Sequence, residues 1–348
     1  MFGIHVSRNS NSKSISKDIL ESVENAKSYN IELKAAAIFL GSPRAKHIGI
    51  SIEEQEEIKK INIPIIAHST YVAYIWNNNQ QNINFIKEEI KTCINSNIRG
   101  LVIHLPKLPP EDIIKIIQKI LSTPKEPILK SAIDSSSFIN KRELFKSGEA
   151  YPIYLNHKNH KIKEVNDFVE DKQTHNMSIV NVNNDKQLPS NFMIYFETPA
   201  LSPKETYYET PDKLSHLFEL IRKNIDPHLK NFGLCIDTAH LWVNGVDIQS
   251  YDNANNWLKK LNSFNIILPP SNIIFHLNDS LRNLGCGPDA HASLCNGKIW
   301  GNYTHKIKQS GLYAFIEYIK NHNAIAIMER NDPKSLAQDY MVLSKCNI

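Results

Sequence analysis

Along the 348-residue chain, short apolar runs rich in β-branched residues alternate with longer segments whose apolar positions recur every three or four residues. The runs are "FGIHV" at 2–6, "KAAAIFLG" at 34–41, "IPIIAH" at 63–68, "GLVIH" at 100–104, "FMIYFE" at 192–197, "FGLCID" at 232–237, "NIIFH" at 272–276 and "AIAIME" at 324–329. Between them, "SIEEQEEIKKI", "NINFIKEEIKTCI" and "PEDIIKIIQKIL" carry the helical period. Strands alternating with helices predict repeated βα units and a parallel sheet. Eight such strands close a barrel, so the pattern predicts an α/β fold, a (β/α)8 TIM barrel, as a single domain over 1–348.

The spacing breaks once. Roughly 90 residues separate the fourth run from the fifth, where one helix needs about a third of that. The segment 123–189 is rich in Lys, Asn, Asp and Ser and is expected to be a polar surface insertion between the fourth and fifth strands, because loops tolerate long insertions at modest entropic cost, with a small subdomain as the alternative.

Composition narrows the class. The hydrophobic fraction of 41% supports a sizeable core, and no run reaches the roughly 18 apolar residues of a membrane span. The opening "MFGIHVSRNSNSKS" lacks the layout of a signal peptide, and five cysteines without a CxxC pair fit free thiols in a reducing compartment. The expectation is a soluble intracellular protein of the cytoplasm or nucleus. A net charge of +4 permits a polyanionic partner without requiring one. Over-used Asn, Ile and Lys fit an AT-rich genome.

The candidate chemistry sits at the strand ends. Six of the eight runs finish in His68, His104, Glu197, Asp237, His276 and Glu329. In a parallel barrel these ends converge on one face, where active sites of this architecture are built. A single His after a strand is more often a hydrogen-bonded turn residue. Six such endings together would be costly in desolvation and repulsion unless a cation sits among them. Imidazoles mixed with carboxylates suit zinc or a similar borderline ion better than calcium or magnesium. His240, just past the sixth strand, and Asp289 with His291 in "GCGPDAHASL" would make a separate His-Asp-His site. Nine donors exceed the capacity of one ion, and clustered ions are the apparatus of phosphoester hydrolysis.

At these residues the chain resembles the endonuclease IV family of abasic-site (AP) endonucleases, through "CIDTAH" at 235–240, "HLND" at 276–279 and "PDAHASL" at 288–294. The likeness spans nearly the whole chain apart from the insertion. It implies three zinc ions: His68 and His104 on the first, Glu197 bridging to a second completed by Asp237, His276 and Glu329, and His240, Asp289 and His291 on the third. It further implies that Glu197 is catalytic, and that Arg44 in "GSPRAK" and Tyr71 in "HSTYVAY" contact double-stranded DNA at an abasic site. The implied reaction is hydrolysis of the phosphodiester 5′ to the abasic site in base excision repair, leaving a 3′-hydroxyl and a 5′-deoxyribose phosphate. The enzyme is expected to be a monomer, with no membrane partner. Family members occur in cells and in large DNA viruses, and the composition fits either. The chain departs from the usual family sequence at Thr198-Pro199, Ala290 and Cys295-Asn296-Gly297, none of which is an implied ligand.

Two other readings compete. A sugar isomerase or epimerase on the same barrel also places Glu, Asp and His at strand ends, but has no need of the third set or of Arg44 and Tyr71. A non-catalytic DNA-binding relic has no reason to keep nine costly polar residues. His157 and His160 in "NHKNHK" read as part of a solvated segment, and Cys286 and Cys295 as free loop thiols.

Overall fold

A computed structural model describes residues 1–8, 14–122, 188–200, 208–263, 268–330 and 333–346. The insertion expected at 123–189, with His157 and His160, lies outside the described residues except for its last two positions.

The strands are β1 (Phe2–Val6), β2 (Ala35–Phe39), β3 (Ile65–His68), β4 (Gly100–His104), β5 (Met193–Glu197), β6 (Phe232–Asp237), β7 (Ile273–His276), the two-residue β8 (Asp279–Ser280) and β9 (His291–Ala292), and β10 (Ile325–Met328). Eight of them close a parallel barrel in the order β1-β10-β7-β6-β5-β4-β3-β2, while β8 and β9 pair antiparallel beside its mouth. All eight predicted runs are therefore barrel strands, trimmed by a residue or more at some ends.

Nine α-helices are described: α1 (Ile15–Lys27), α2 (Ile52–Ile58), α3 (Gln80–Asn95), α4 (Pro110–Leu121), α5 (Pro211–Asn224), α6 (Thr238–Val243), α7 (Tyr251–Ser263), α8 (Gly311–Asn321) and α9 (Pro333–Lys345). Helix α4 shows why these segments coil. Pro110 opens it, Glu111 and Asp112 face the positive end of its dipole, and the buried Ile113, Ile114, Ile116, Ile117 and Ile120 form one apolar stripe. Ser51 and Asn79 cap α2 and α3 by accepting backbone N–H groups. Among the described residues no helix is long and apolar enough to cross a membrane.

Two cores result. Outward-facing strand residues pack under the helices, and the inward rows fill the barrel with Ala35, Ala37, Ile66, Val102, Met193, Tyr195, Cys235, Ile274, Ile325 and Ile327. Side chains alternate along a strand. Two positions beyond Ala37, Ile66, Val102, Tyr195, Cys235, Ile274 and Ile327, the inward rows therefore end at the mouth in Phe39, His68, His104, Glu197, Asp237, His276 and Glu329, with His5 at the register position of Ala37 on β1. The polar ring is thus the last layer of the barrel's own packing. The described residues stop at Ser122 after α4 and resume at Leu188 before β5.

Candidate metal centre at the barrel mouth

Register sets the first contacts. His104 stands opposite Glu197 across β4 and β5, and Asp237 stands opposite His276 across β6 and β7. Glu197, 1% exposed, turns its two oxygens to different neighbours. Its Oε2 lies 3.0 Å from His68 Nε2 and 2.7 Å from His104 Nε2, while Oε1 lies 2.6 Å from His276 Nδ1. The His68 and His104 Nε2 atoms are themselves 3.1 Å apart.

The next group gathers around Asp237 and Glu329. His276 Nδ1 is 3.9 Å from Asp237 Oδ2 and 3.5 Å from Glu329 Oε2. On the far side, His291 Nε2 is 2.9 Å from Asp289 Oδ2 and 3.5 Å from Asp237 Oδ2, and His240 Nε2 is 3.6 Å from Asp289 Oδ2. Every one of the nine predicted donors is therefore in one cluster. Asp237 borders both the second and the third group, since its Oδ2 is also 3.9 Å from His240 Nε2.

Local structure aims these groups. Asp237 is the N-cap of α6: its Oδ1 accepts the N–H groups of Ala239 at 2.7 Å and His240 at 3.1 Å. Capping spends one oxygen on the helix and leaves Oδ2 for the cluster. The same cap fixes His240 one turn on, which accounts for the three-residue spacing. His240 Nδ1 lies 2.7 Å from Thr198 O and His68 Nδ1 lies 2.8 Å from Ser69 O. Both rings thereby donate Nδ1–H to a carbonyl and turn the Nε2 lone pair inward, the tautomer a metal ligand requires. Thr198, one of the departures from the family sequence, also accepts Asp237 N–H through Oγ1 at 3.0 Å.

The electrostatics are those of an interleaved array. Burial opposes ionisation of Glu197, but His104 and His276 outweigh it and hold the carboxyl well below the usual range. Burial likewise opposes charge on Glu329, yet His276 and His291 hold it at about 2. For His291, burial would lower the pKa, and Asp289 with Asp237 overcomes this and pushes it up to about 9. His240 and His276 are raised in the same way against burial, whereas at His104 burial prevails and lowers it. Burial also raises Asp237.

Divalent ions fit this donor set. Four overlapping groups drawn from these residues bring their ligand atoms within 4.8 Å of one another: His68, His104 and Glu197; His68, His276 and Glu329; Glu197, Asp237, His276 and Glu329; and Asp237, His240 and His291. Asp289 Oδ1 is buried with no hydrogen-bond partner among the described residues. Repelling carboxylates and imidazoles forced together, with an acceptor left over, is the environment a cation relieves.

At the rim, Tyr71 is 42% exposed, and its ring lies 5.4 Å from His68 and 5.3 Å from His104, edge-on to both. Arg44 is exposed on the neighbouring loop. The two loops are laced together, Tyr71 N–H donating to Pro43 O at 3.0 Å and Thr70 Oγ1 to Pro43 O at 2.9 Å. Beneath them the buried Glu89 accepts from Ser69 Oγ at 2.7 Å, and burial pushes its carboxyl up to about 7.

Sequence reasoning missed three participants. His5 is 8% exposed and packs edge-on to Phe39 at 5.0 Å, and burial pushes it down to about 4. It is the penultimate residue of its strand, so only the inward alternation of β1 would have revealed it. Asn278 and Thr198 hold ligands through contacts with residues 39 to 51 positions away, and no local pattern carries that signal. The five cysteines are free thiols: Cys286 is exposed, and Cys93, Cys235, Cys295 and Cys346 are buried.

No family model matches the chain. The probable AP endonuclease of African swine fever virus, from a tick isolate, is 33% identical over 342 residues, which cover 95% of this chain and 92% of the viral protein. Among solved structures, the crystal structure of AsfvAP:AG matches with a TM-score of 0.76 and 31% identity over 100% of this chain and 99% of the other. Endonuclease IV from Thermus thermophilus matches with a TM-score of 0.62 and 18% identity over 99% and 98%, a likeness of fold.

Proposed function

The chain belongs to the endonuclease IV family of AP endonucleases, and on that premise we propose that its barrel mouth binds three divalent ions, zinc by donor chemistry, and hydrolyses the phosphodiester 5′ to an abasic site in duplex DNA. The observation that carries this reading is Glu197, whose two carboxylate oxygens face two different histidine groups from a position 1% exposed. That is the geometry of a bridge between neighbouring ion sites. His68 and His104 would hold the first ion together with Glu197; Asp237, His276 and Glu329 would hold the second, and His240, Asp289 and His291 the third. Donor by donor, these are imidazole and carboxylate rather than all oxygen, which favours zinc.

Bound ions would supply water activated near neutral pH and positive charge toward a phosphate. The chain's own residues do the rest. Glu197, held ionised by His104 and His276, orients the attacking group. Ser69 O and Thr198 O keep His68 and His240 in the ligating tautomer. Tyr71 and Arg44 stand on laced loops at the rim, where an aromatic face and a guanidinium can occupy the gap in an abasic duplex. Extruding a nucleotide without a base forfeits less stacking than extruding an intact one, which favours abasic sites. One chain contributes all nine donors, which supports a site that needs no second copy. The third group, His240 with Asp289 and His291, separates this reading from that of a sugar isomerase, which needs no such set.

The test is incision of a duplex carrying one tetrahydrofuran abasic analogue, with and without a zinc chelator. Chelator-sensitive cleavage that leaves a 3′-hydroxyl is expected. A zinc-replete preparation that leaves the duplex intact would overturn the proposal.

A further inference from the structure

Asn278 lies two residues beyond β7, is 0% exposed and has no part in the chemistry above. Its carboxamide is fully engaged. Nδ2 donates to Asp237 Oδ2 at 2.7 Å and to Glu329 Oε2 at 3.0 Å, while Oδ1 accepts Glu329 N–H at 3.2 Å and Arg330 Nη1 at 2.7 Å. An amide has two N–H donors and an oxygen with two lone pairs, so no capacity is left over. Turning the amide round would set its oxygen against two carboxylates and its N–H groups against a guanidinium. Only one orientation is allowed.

The network continues outward. Arg330, 8% exposed, also donates through Nη1 to Glu329 O at 2.6 Å, and its Nε forms an ion pair with Asp339 Oδ2 of α9 at 2.6 Å. The other oxygen of Asp339 accepts Leu294 N–H at 2.6 Å. Leu294 is three residues past His291, on the segment that carries the third group. A continuous buried path therefore runs from the two carboxylates of the second group, through Asn278, Arg330 and Asp339, to the backbone beside the third.

We propose that Asn278 is a positioning residue that holds Asp237 and Glu329 in ligating geometry for the second ion, with Arg330 and Asp339 fixing the orientation of its amide. The two carboxylates come from β6 and from the end of β10, the strands on either side of β7. Asn278, on the loop after β7, donates a hydrogen bond to each of them at 3.0 Å or less, closer than His276 and His291, which lie 3.5 to 3.9 Å from the same two carboxylates. Without it, Asp237 Oδ2 and Glu329 Oε2 lose the shared amide donor that ties them together, and each would relax away from the other. The inference rests on reading the mouth as a metal centre.

The experiment compares the wild type with Asn278→Ala and Asn278→Ser, measuring zinc affinity by competition with a chromophoric chelator, incision as a function of zinc, and melting of the metal-free proteins. In Asn278→Ala one zinc is expected to bind roughly 10- to 100-fold more weakly, the usual effect of removing a group that orients ligands, with the other two unchanged. Incision should return toward the wild-type rate at saturating zinc with the KM for abasic duplex unaltered. Asn278→Ser, which keeps one donor, should fall between and serves if the alanine variant does not fold. A purely structural residue would lower melting and activity at every zinc concentration without changing any zinc affinity, and that result would overturn the inference. Failure of the wild type to bind zinc or to incise would instead remove the reading beneath it. The two failures are therefore distinguishable.

Discussion

The two ends of the barrel interior are built on the same backbone and filled in opposite ways. At the base, the inward rows bury Met193, Val102, Ile325 and the fully enclosed Tyr195, whose ring occupies space left by two glycines. A Cβ on Gly100 or Gly233 would come within 2.6 Å of that ring. At the mouth, two residues further along the same strands, the rows end in imidazoles and carboxylates, of which His68, Glu197, Asp237 and His276 are just as buried and His104 and Glu329 are partly exposed. The base is apolar packing, which stabilises in proportion to the area removed from water. The mouth confines ionisable groups whose desolvation is repaid only by excellent pairing or a bound ion. A cleft of about 610 Å³ opens at the base, lined by Arg99, Lys230, Ile58 and Asn272 among others, and holds none of the nine donors. Volume is no guide to chemistry here; the alternation of the strands is.

Substitutions should therefore separate the two ends. The largest effect belongs to Glu197→Gln, which keeps the shape and removes the charge that two histidine groups face. Incision is expected to fall roughly 10²- to 10³-fold, the scale seen when a transition-state interaction is removed, and melting of the metal-free protein should also fall, because His104 and His276 lose the carboxylate they hold ionised. Activity within tenfold of wild type would break the contrast. Gly233→Ala tests the other end, since its added Cβ would meet Asn272 O at 2.5 Å and the Tyr195 ring at 2.6 Å. Overpacking of this kind costs about 1–3 kcal/mol, to be read from urea unfolding, with kcat unaltered.

The pH dependence of stability sharpens the same comparison. His291 is pushed up to about 9 in the metal-free cluster, against burial, by Asp289 and Asp237, and His240 and His276 are raised likewise. A raised imidazole adds stability that is complete below its unfolded value of about 6.5 and is lost as pH rises through its folded value. The melting temperature of metal-free protein should thus fall between pH 6.5 and about 9. The amino terminus, pushed down to about 6 by burial and by Lys34, opposes this below pH 8 as one group against three. Zinc should flatten or reverse the trend, because ligation needs neutral imidazoles and releases protons. A metal-free melting curve that rises with pH across this window would contradict the assigned charges. The smallest effect is at the rim: Tyr71→Ala should weaken binding of an abasic duplex roughly 10-fold, within the range for loss of one stacking aromatic, at unchanged zinc content.

How much of this the sequence disclosed follows from the reach of each interaction. The barrel was legible because its strands are buried on both faces and so read as unbroken apolar runs, as in "FGLCID". The ligands at strand ends were legible because the last inward residue coincides with the end of the run. His5 was not, since β1 continues for one more residue, Val6, and hides the polar position inside the run. Asp237 and His240 were visible as a pair, but the reason for their spacing, one carboxylate capping α6 while serving the cluster, appears only in three dimensions. Asn278 and Thr198 act across long sequence separations through single hydrogen bonds. Asn278 lies inside the "HLND" signature and Thr198 beside Glu197, but nothing in the sequence shows which ligands they hold. The insertion expected at 123–189 rests on spacing alone and lies outside the described residues except for its last two positions.

The central claim is that one cluster of nine donors holds three ions and that incision depends on filling it. The direct measurement strips the protein with a chelator, adds zinc back in counted equivalents per chain, and follows incision of the abasic duplex at each step. The account predicts no cleavage by the stripped protein and full activity on reaching three equivalents. Full cleavage without metal, or a plateau at one equivalent, would contradict it.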